Sequence, residues 1–442
     1  MADSHSEIFR SEIFRSESSP VEDLLRRCVA CGLCLPHCAT WAATGNEVHS
    51  PRGRLMLLQD MLANPSTANR RAYADAFAHC IGCRACESAC PSGVPFHLLE
   101  HGSRLSGADS RTVGGPTGLV LRHLDSPFLL RALARAGQGA RVVLRGLLGA
   151  RWRPKLEDAG GWRARWGGLL GTMPVSPGDD QALCGLLDDL LGEKSVPREP
   201  PIPCPKAGMR ELILFRGCAN EGLLPESTRR LEALLRAAGC RISSARGQEC
   251  CGALAAHTGR PGRAATLRRH NRQALTPLLT RGRPLVVEAA GCGHHLQKDE
   301  GGGFAEAVDA AVLLDDLDLP PLRALELTVV YHDPCHARHG QGIGTEPRRL
   351  LARIPGLTLR EPHEAEMCCG SGGAWGPEHP ELSRRLARRK ARNLAATGAD
   401  LVVTANPGCL GQIADGLALE VPRLPILPLT DLLWYAAFTC SA

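Results

Sequence analysis

Two matching runs of cysteine constrain this chain more than any other feature. Cys28-Val-Ala-Cys31-Gly-Leu-Cys34-Leu-Pro-His-Cys38 and Cys80-Ile-Gly-Cys83-Arg-Ala-Cys86-Glu-Ser-Ala-Cys90 both read C-x2-C-x2-C-x3-C. Three cysteines two residues apart wrap one cubane iron–sulfur cluster, since each intervening pair makes a tight turn. The fourth thiol cannot reach that cluster, and where two such runs occur it ligates the other one. The expected ligand sets are Cys28, Cys31, Cys34 and Cys90 for one [4Fe-4S] cluster, and Cys80, Cys83, Cys86 and Cys38 for the second. The exchange would tie residues 21–105 into one small helical lobe with its clusters close enough to pass electrons. Zinc also takes four thiolates, but its sites usually show two C-x2-C pairs across a longer loop. Pro91 follows Cys90 as the pattern wants, whereas Ala39 follows Cys38.

The chain has 442 residues and 20 cysteines, too many cysteines for packing alone. Most fall at ligand spacing, and residues 1–20 contain no apolar segment of the kind that marks export, so metal or redox work in a reducing cytoplasm is expected rather than disulfides. A net charge of +6 and 4% aromatic residues give little for stacking bases, so nucleic acid is not an expected partner. No apolar stretch reaches the length of a membrane span. Membrane contact, if made, is expected to be peripheral, at the inner face of the cytoplasmic membrane or through a partner.

Residues 1–20 hold Ser6-Glu-Ile-Phe-Arg10 copied as Ser11-Glu-Ile-Phe-Arg15 and read as a disordered tail. A helix starting near Val21 should deliver Cys28. Between the cysteine runs, Pro51-Arg-Gly-Arg54 opens a helical pattern through Leu62; its arginines either offset cluster charge, hold a partner or are simply solvated. A helix over Pro95 to Arg104 closes the lobe. Residues 106–205 read as a helical, basic linker region. There Arg122, Arg131, Arg135, Arg141 and Arg145 interrupt Leu and Val at helical spacing, a pattern that suits an anionic membrane surface and, more commonly, a helix packed on its own protein. Trp152, Trp162 and Trp166 follow, in a segment that suits an interface or a core.

The second half repeats itself. Leu212 to Phe215 runs into Cys218, then come Cys250-Cys251-Gly252, then Leu285 to Ala289 running into Cys292. The second copy has Val329 to Tyr331 into Cys335, Cys368-Cys369-Gly370, and Leu401 to Thr404 into Cys409. Matching cysteines lie 117, 118 and 117 residues apart. Short strands alternating with helices predict two pseudo-symmetric α/β units, residues 206–322 and 323–442, with cysteines gathered at the carboxyl ends of strands. The fold expected overall is α+β: a helical two-cluster domain like that of ferredoxins, followed by the two cysteine-rich repeats.

Cys218, Cys250, Cys251 and Cys292, and Cys335, Cys368, Cys369 and Cys409, are therefore candidates for a further cluster, metal or redox role. Adjacent cysteines bind one mononuclear tetrahedral metal only with strain, whereas a cluster offers each a separate atom. The alternative is a buried reduced pair that touches no metal. His294, His295, His332 and His336 flank these positions as ligands, proton-coupled groups or ordinary structural histidines. Cys184, Cys204, Cys240 and Cys440 have no partner in spacing.

Two ferredoxin-type runs followed by two Cys-Cys-Gly repeats resemble the iron–sulfur subunits of glycolate oxidase. Relatives occur in anaerobic glycerol-3-phosphate dehydrogenase, lactate-utilisation proteins and heterodisulfide reductase. The run from Cys28 to Cys34 continuing to Ser50-Pro-Arg-Gly-Arg54 is most similar to the glycolate oxidase subunit. In heterodisulfide reductase each repeat ends in Cys-x-x-Cys; here Cys292 is followed by His295 and Cys409 by Gln412, which puts that enzyme's noncubane cluster in doubt. The resemblance implies an electron-transfer subunit without catalytic residues of its own. FAD-binding subunits would oxidise glycolate to glyoxylate, and this chain would pass electrons towards a quinone or another membrane acceptor. FAD would sit in the partner alone, since no G-x-G-x-x-G here opens a helix after a strand. An equivalent subunit of a lactate or glycerol-3-phosphate dehydrogenase or of a complex like heterodisulfide reductase, and a zinc-stabilised assembly scaffold, are the competing readings.

Overall fold

The computed structural model describes residues 21–108, 125–130, 132, 180–197, 209–279, 282–298 and 303–441. The N-terminal tail, Trp152, Trp162, Trp166, Cys204 and all but residues 125–130 and 132 of the basic stretch lie outside them. The chain divides into two compact units, Met1–Arg111 and Thr112–Ala442.

In the first unit, helices Val21–Arg26, Pro51–Ala63, Thr67–Ala78 and His97–Ser106 bury Leu24, Leu25, Leu55, Leu58, Met61, Phe77, Leu98 and Leu99 in a core of their own. The Ser50-Pro-Arg-Gly-Arg54 segment explains how the longest of these begins. Ser50 caps it, its Oγ accepting from the Gly53 amide at 2.9 Å, and Pro51 occupies the first turn, where no N–H is needed. A side chain at Gly53 would place Cβ 2.0 Å from the Glu47 carbonyl, so only glycine lets the helix meet the preceding turn. Neither arginine is idle. Arg52 donates to the Ala30 carbonyl (3.0 Å) and to Glu47 (2.8 Å), and buried Arg54 donates to the Ala76 carbonyl (2.7 Å) and to Thr40 Oγ1 (3.2 Å). Ala30, held at φ 55 between Cys28 and Cys31, thus has its carbonyl anchored from the helix.

The second unit contains strands β1 (Ser195–Pro197), β2 (Arg210–Phe215), β3 (Cys240–Ser243), β4 (Leu285–Val287), β5 (Ala307–Asp309), β6 (Thr328–His332), β7 (Thr358–Arg360), β8 (Leu401–Thr404), β9 (Ile426–Pro428) and β10 (Thr439–Ser441). They form two four-stranded parallel sheets, ordered β3-β2-β4-β5 and β7-β6-β8-β9, with Ile213 opposite Leu285 in one and Val329 opposite Leu401 in the other. The fold class is thus the expected one, and the sheets have the same topology. Continuous apolar runs such as Leu285–Val287 and Leu401–Val403 suit parallel strands covered on both faces.

One core spans both repeats, joining Leu212, Leu214 and Val286 to Val329, Tyr331, Leu401 and Val403. It is closed by helix Leu429–Phe438, in which every residue but Ala437 is buried, the pattern of a core helix rather than a surface one. Each aliphatic side chain so buried contributes roughly 1.5–3 kcal/mol. Helix Asp180–Leu191, in the stretch read as linker, inserts Leu183, Cys184 and Leu187 into this core, and β1 pairs antiparallel with β10. Cys184 and Cys240 are core residues of this unit.

Candidate iron–sulfur and metal centres

In the first unit a cavity of about 40 Å³, open to solvent, is lined by Cys28, Cys31, Cys34, Cys86 and Cys90. Cys38 is not among its lining residues, although it lies within electrostatic reach of Cys34. It is buried, contacts Thr40 Oγ1 (3.3 Å) and the His49 carbonyl (3.8 Å), and is an electrostatic neighbour of both Cys80 and Cys86. Cys83 is buried in the same lobe. The structure thus brings thiols of both runs to one cavity, and sets Cys38 near Cys34 of its own run as well as Cys80 and Cys86 of the other.

Burial sets the proton chemistry. It pushes the Cys34 thiol up to about 11, against backbone hydrogen bonds that pull it down, and pushes Cys86 well up as well, helped by the charges of Cys80 and Cys38. For Cys80 burial again dominates, opposed first by the Arg54 guanidinium. Thiols so placed stay protonated until a cation supplies the compensating charge, which is what a [4Fe-4S] core does on ligation. A cavity lined by cysteines of both runs and an arginine beside each set fit that group; Arg52 lies within electrostatic reach of Cys34 and Cys28.

In the second unit each row of four cysteines sits at the carboxyl ends of the central strands. Cys218 follows β2 and Cys292 follows β4, the adjacent pair at which the strand order reverses, where α/β sheets bind ligands. Cys335 after β6 and Cys409 after β8 repeat the placement. The thiols form a continuous row in both: Cys218 donates to Cys250 (3.2 Å), Cys250 to Cys251, and Cys251 to Cys292 (3.4 Å). Cys335, Cys368, Cys369 and Cys409 are linked in the same order. The glycine after each pair has positive φ, 95 at Gly252 and 91 at Gly370, and turns its amide onto the first sulfur of the pair at 3.5 Å. The bonds their thiols donate to Cys250 and Cys368, and after them burial, hold Cys218 and Cys335 well above the ordinary thiol range.

Sequence reasoning missed the residues that brace these rows. Asn271 is fully buried, accepts from the Glu249 amide (2.8 Å) and donates to the Cys250 carbonyl (2.9 Å). Its counterpart in the second repeat is Lys390, also buried, whose Nζ donates to the carbonyls of Glu364 (2.6 Å) and Ala365 (3.3 Å). The signal was present: Pro261 and Pro380 open equivalent helices, and Asn271 and Lys390 occupy the same step of each. Glu288, just past β4, is a second surprise. It accepts from Asn220 (2.5 Å) and Thr430 (2.8 Å), and burial pushes its carboxyl up to about 7. Nearby, Arg230 and Asp431, both fully buried, pair at 2.9 Å. Of the flanking histidines, His294 and His336 lie with ring centroids 5.1 Å apart, His295 keeps a buried Nε2 without a hydrogen-bond partner, and His332 lies among the thiols of the second row.

Comparison with known proteins matches residues 24–94 to the family described as 4Fe-4S dicluster domain, and residues 212–297 and 329–414 to that described as Cysteine-rich domain. The chain is 31% identical to the probable glycolate oxidase iron-sulfur subunit of Bacillus subtilis (strain 168), over 94% of this chain and 95% of that one. It is 28% identical to the glycolate oxidase iron-sulfur subunit of Escherichia coli (strain K12), over 89% and 90%. With lactate utilization protein A 2 of Bacillus cereus (strain AH820) it shares 26% identity over 50% of this chain and 97% of the relative. Among the described residues no helix is long and apolar enough to cross a membrane.

Proposed function

Because the chain belongs to the family of glycolate oxidase iron–sulfur subunits, we propose that it relays electrons from a flavoprotein partner that oxidises glycolate to glyoxylate, delivering them towards a quinone or another acceptor. Flavin takes two electrons as a hydride and gives them up singly, and iron–sulfur clusters supply the one-electron carriers that such a hand-over requires. In this reading Cys28, Cys31, Cys34 and Cys90 hold one cluster, and Cys80, Cys83, Cys86 and Cys38 hold the other. Substrate and FAD sit in the partner.

The observation that carries the reading is the cavity whose thiols come from both runs, with Cys38 within electrostatic reach of Cys80 and Cys86 as well as of Cys34. The surrounding residues have work of their own. Arg52 fixes the loop between Cys28 and Cys31 through the Ala30 carbonyl, and Arg54 places a buried positive charge by Cys80. Val29 and Leu33, 70% and 56% exposed, stand on either side of Cys31 and leave an apolar collar at the mouth of the first site. Such a collar suits a partner surface that must come close and exclude water for electron transfer. In the second unit the rows of thiols suit polynuclear chemistry better than a single tetrahedral ion, because neighbouring cysteines then bind separate atoms.

The full-length likeness to glycolate oxidase subunits favours glycolate; the half-length likeness to a lactate utilization protein makes lactate the second substrate to try. Tagged protein recovered anaerobically with its bound partners should lose visible cluster absorbance when glycolate is added. Bleaching by lactate alone would replace the substrate. If dithionite bleaches the complex and no 2-hydroxy acid does, the proposed donor reaction is wrong. Colourless protein containing zinc and no sulfide would refute the relay itself and favour a scaffold.

A further inference from the structure

The second cysteine row has a neighbour that the first lacks. His332 ends β6 three residues before Cys335, and Phe215 ends β2 three residues before Cys218. The His332 ring is 1% exposed, and neither Nδ1 nor Nε2 has a hydrogen-bond partner. One of its nitrogens and the sulfurs of Cys369 and Cys409 all lie within 4.8 Å of one another.

A buried polar group left unpaired costs roughly 1–3 kcal/mol. The fold does not demand that cost, because phenylalanine fills the same position in the first repeat. A tetrahedral first-row ion with thiolate and imidazole ligands separates its donors by roughly 3.3–3.8 Å, so the three atoms close on a metal with small side-chain movements. Charge agrees with geometry. Burial holds Lys390 below the ordinary lysine range while Cys369 and Cys368 within electrostatic reach raise it, where the first repeat has the neutral Asn271; ammonium and thiolate there stabilise one another. Asn406 adds a donor to the Cys409 sulfur at 3.4 Å.

We propose that His332, Cys369 and Cys409 ligate one first-row metal atom, either zinc(II) or an iron of a cluster built on the same row. The second repeat is then a mixed nitrogen–sulfur centre and the first an all-thiol one. The two repeats share a topology but not a ligand set, and they differ in the metal they accept or in the potential at which they hold it.

The test compares anaerobically purified full-length protein with His332→Phe, which installs the first repeat's residue, and His332→Cys, which keeps a donor. Metal analysis, X-ray absorption at the zinc and iron edges and pulsed EPR for nitrogen coupling are read together. In the zinc arm, His332→Phe loses about one equivalent of zinc and the wild type shows a nitrogen scatterer at zinc distance. In the iron arm it loses iron held beyond the two N-terminal clusters, together with the nitrogen coupling. In either arm His332→Cys retains the metal without the nitrogen signature. EPR signals of the N-terminal clusters stay unchanged in both variants, which separates this proposal from the relay reading: that reading fails if those signals are missing from wild type. Full metal retention in His332→Phe overturns the proposal. So does equal loss from His332→Cys, or a wild type that binds nothing beyond its N-terminal clusters after incubation with zinc or with ferrous iron and sulfide.

Discussion

Replacing Cys38 by serine tests the ligand exchange directly, because its thiol lies within electrostatic reach of both runs and its loss shows which cluster it holds. Cys38 lies four residues after Cys34 and neighbours it as well as Cys80 and Cys86, while Cys34 lines the cavity shared by Cys28, Cys31, Cys86 and Cys90. Serine preserves the volume of this site, which is 7% exposed, and its contact with Thr40. The hydroxyl is, however, a far poorer ligand than a thiolate at neutral pH. The Cys38→Ser protein should therefore fold and lose the cluster held by Cys80, Cys83 and Cys86. Its iron should fall by about four atoms out of about eight in the N-terminal unit, with visible absorbance falling in proportion. Cys34→Ser should cost the same number of irons from the other site. Iron and sulfide analysis gives the count, and EPR during stepwise dithionite reduction gives the identity, since the two clusters differ in their surroundings. Cys38→Ser and Cys34→Ser abolishing the same signal would refute the exchange and return each cluster to its own run.

Gly370→Ala should destabilise the second repeat by about 2–5 kcal/mol, combining the left-handed backbone with a Cβ placed 2.7 Å from that of Leu386; Gly252→Ala, whose nearest neighbour is at 3.6 Å, should cost only about 1–2 kcal/mol. Hydrogen exchange localised to each repeat checks the order, and equal effects would contradict it. Arg54→Met should cost about 3 kcal/mol through its lost bonds to the Ala76 carbonyl and Thr40, and make the potential of the cluster nearest Cys80 more negative; an unchanged potential in redox-titrated EPR would remove Arg54 from that site's electrostatics. Glu288, raised from 4.5 to about 7, binds its proton more tightly folded than unfolded, so its contribution is fully present below about pH 4.5 and is lost as pH rises through 7. Chemical denaturation of wild type and Glu288→Gln at pH 5 and pH 7.5 should show the variant losing less between the two, by a difference of order 3 kcal/mol; parallel losses would mean that Glu288 is ionised throughout.

Much of this architecture was written in spacing. Ligand spacing is local, so the two cysteine runs announced their chemistry without any tertiary information, and the 117-residue offset announced a duplicated α/β unit. What escaped was whatever depends on chain segments meeting at a distance. β5 and β9 are three residues each, too short to show periodicity, and exist because β4 and β8 offer them an edge. The Asp180–Leu191 helix looked like the end of a basic linker, yet its leucines have a place only once both sheets are packed. The arginines of Ser50-Pro-Arg-Gly-Arg54 could not be assigned from charge pattern; three-dimensional position made one a loop anchor and the other a buried cation. His332 stood out only as a residue near a cysteine, and its isolation from every hydrogen-bond partner is a property of the folded core.

The antiparallel pairing of β1 with β10 sets a timetable. Ser195–Pro197 must wait for Thr439–Ser441, and the core helix Leu429–Phe438 precedes that last strand by no residues at all. The cysteine-rich body therefore cannot close until Thr439–Ser441 has left the ribosome, whereas the N-terminal unit has every one of its eight cysteines by residue 90. At about 5–20 residues per second, roughly 18 to 70 s separate the two events. Iron and sulfide can be delivered to the first unit during that interval, while the thiols of the second are still unassembled and unable to compete as a built site. Chains stalled short of residue 439 should already carry iron in the N-terminal unit; stalled chains devoid of it would place cluster insertion after release.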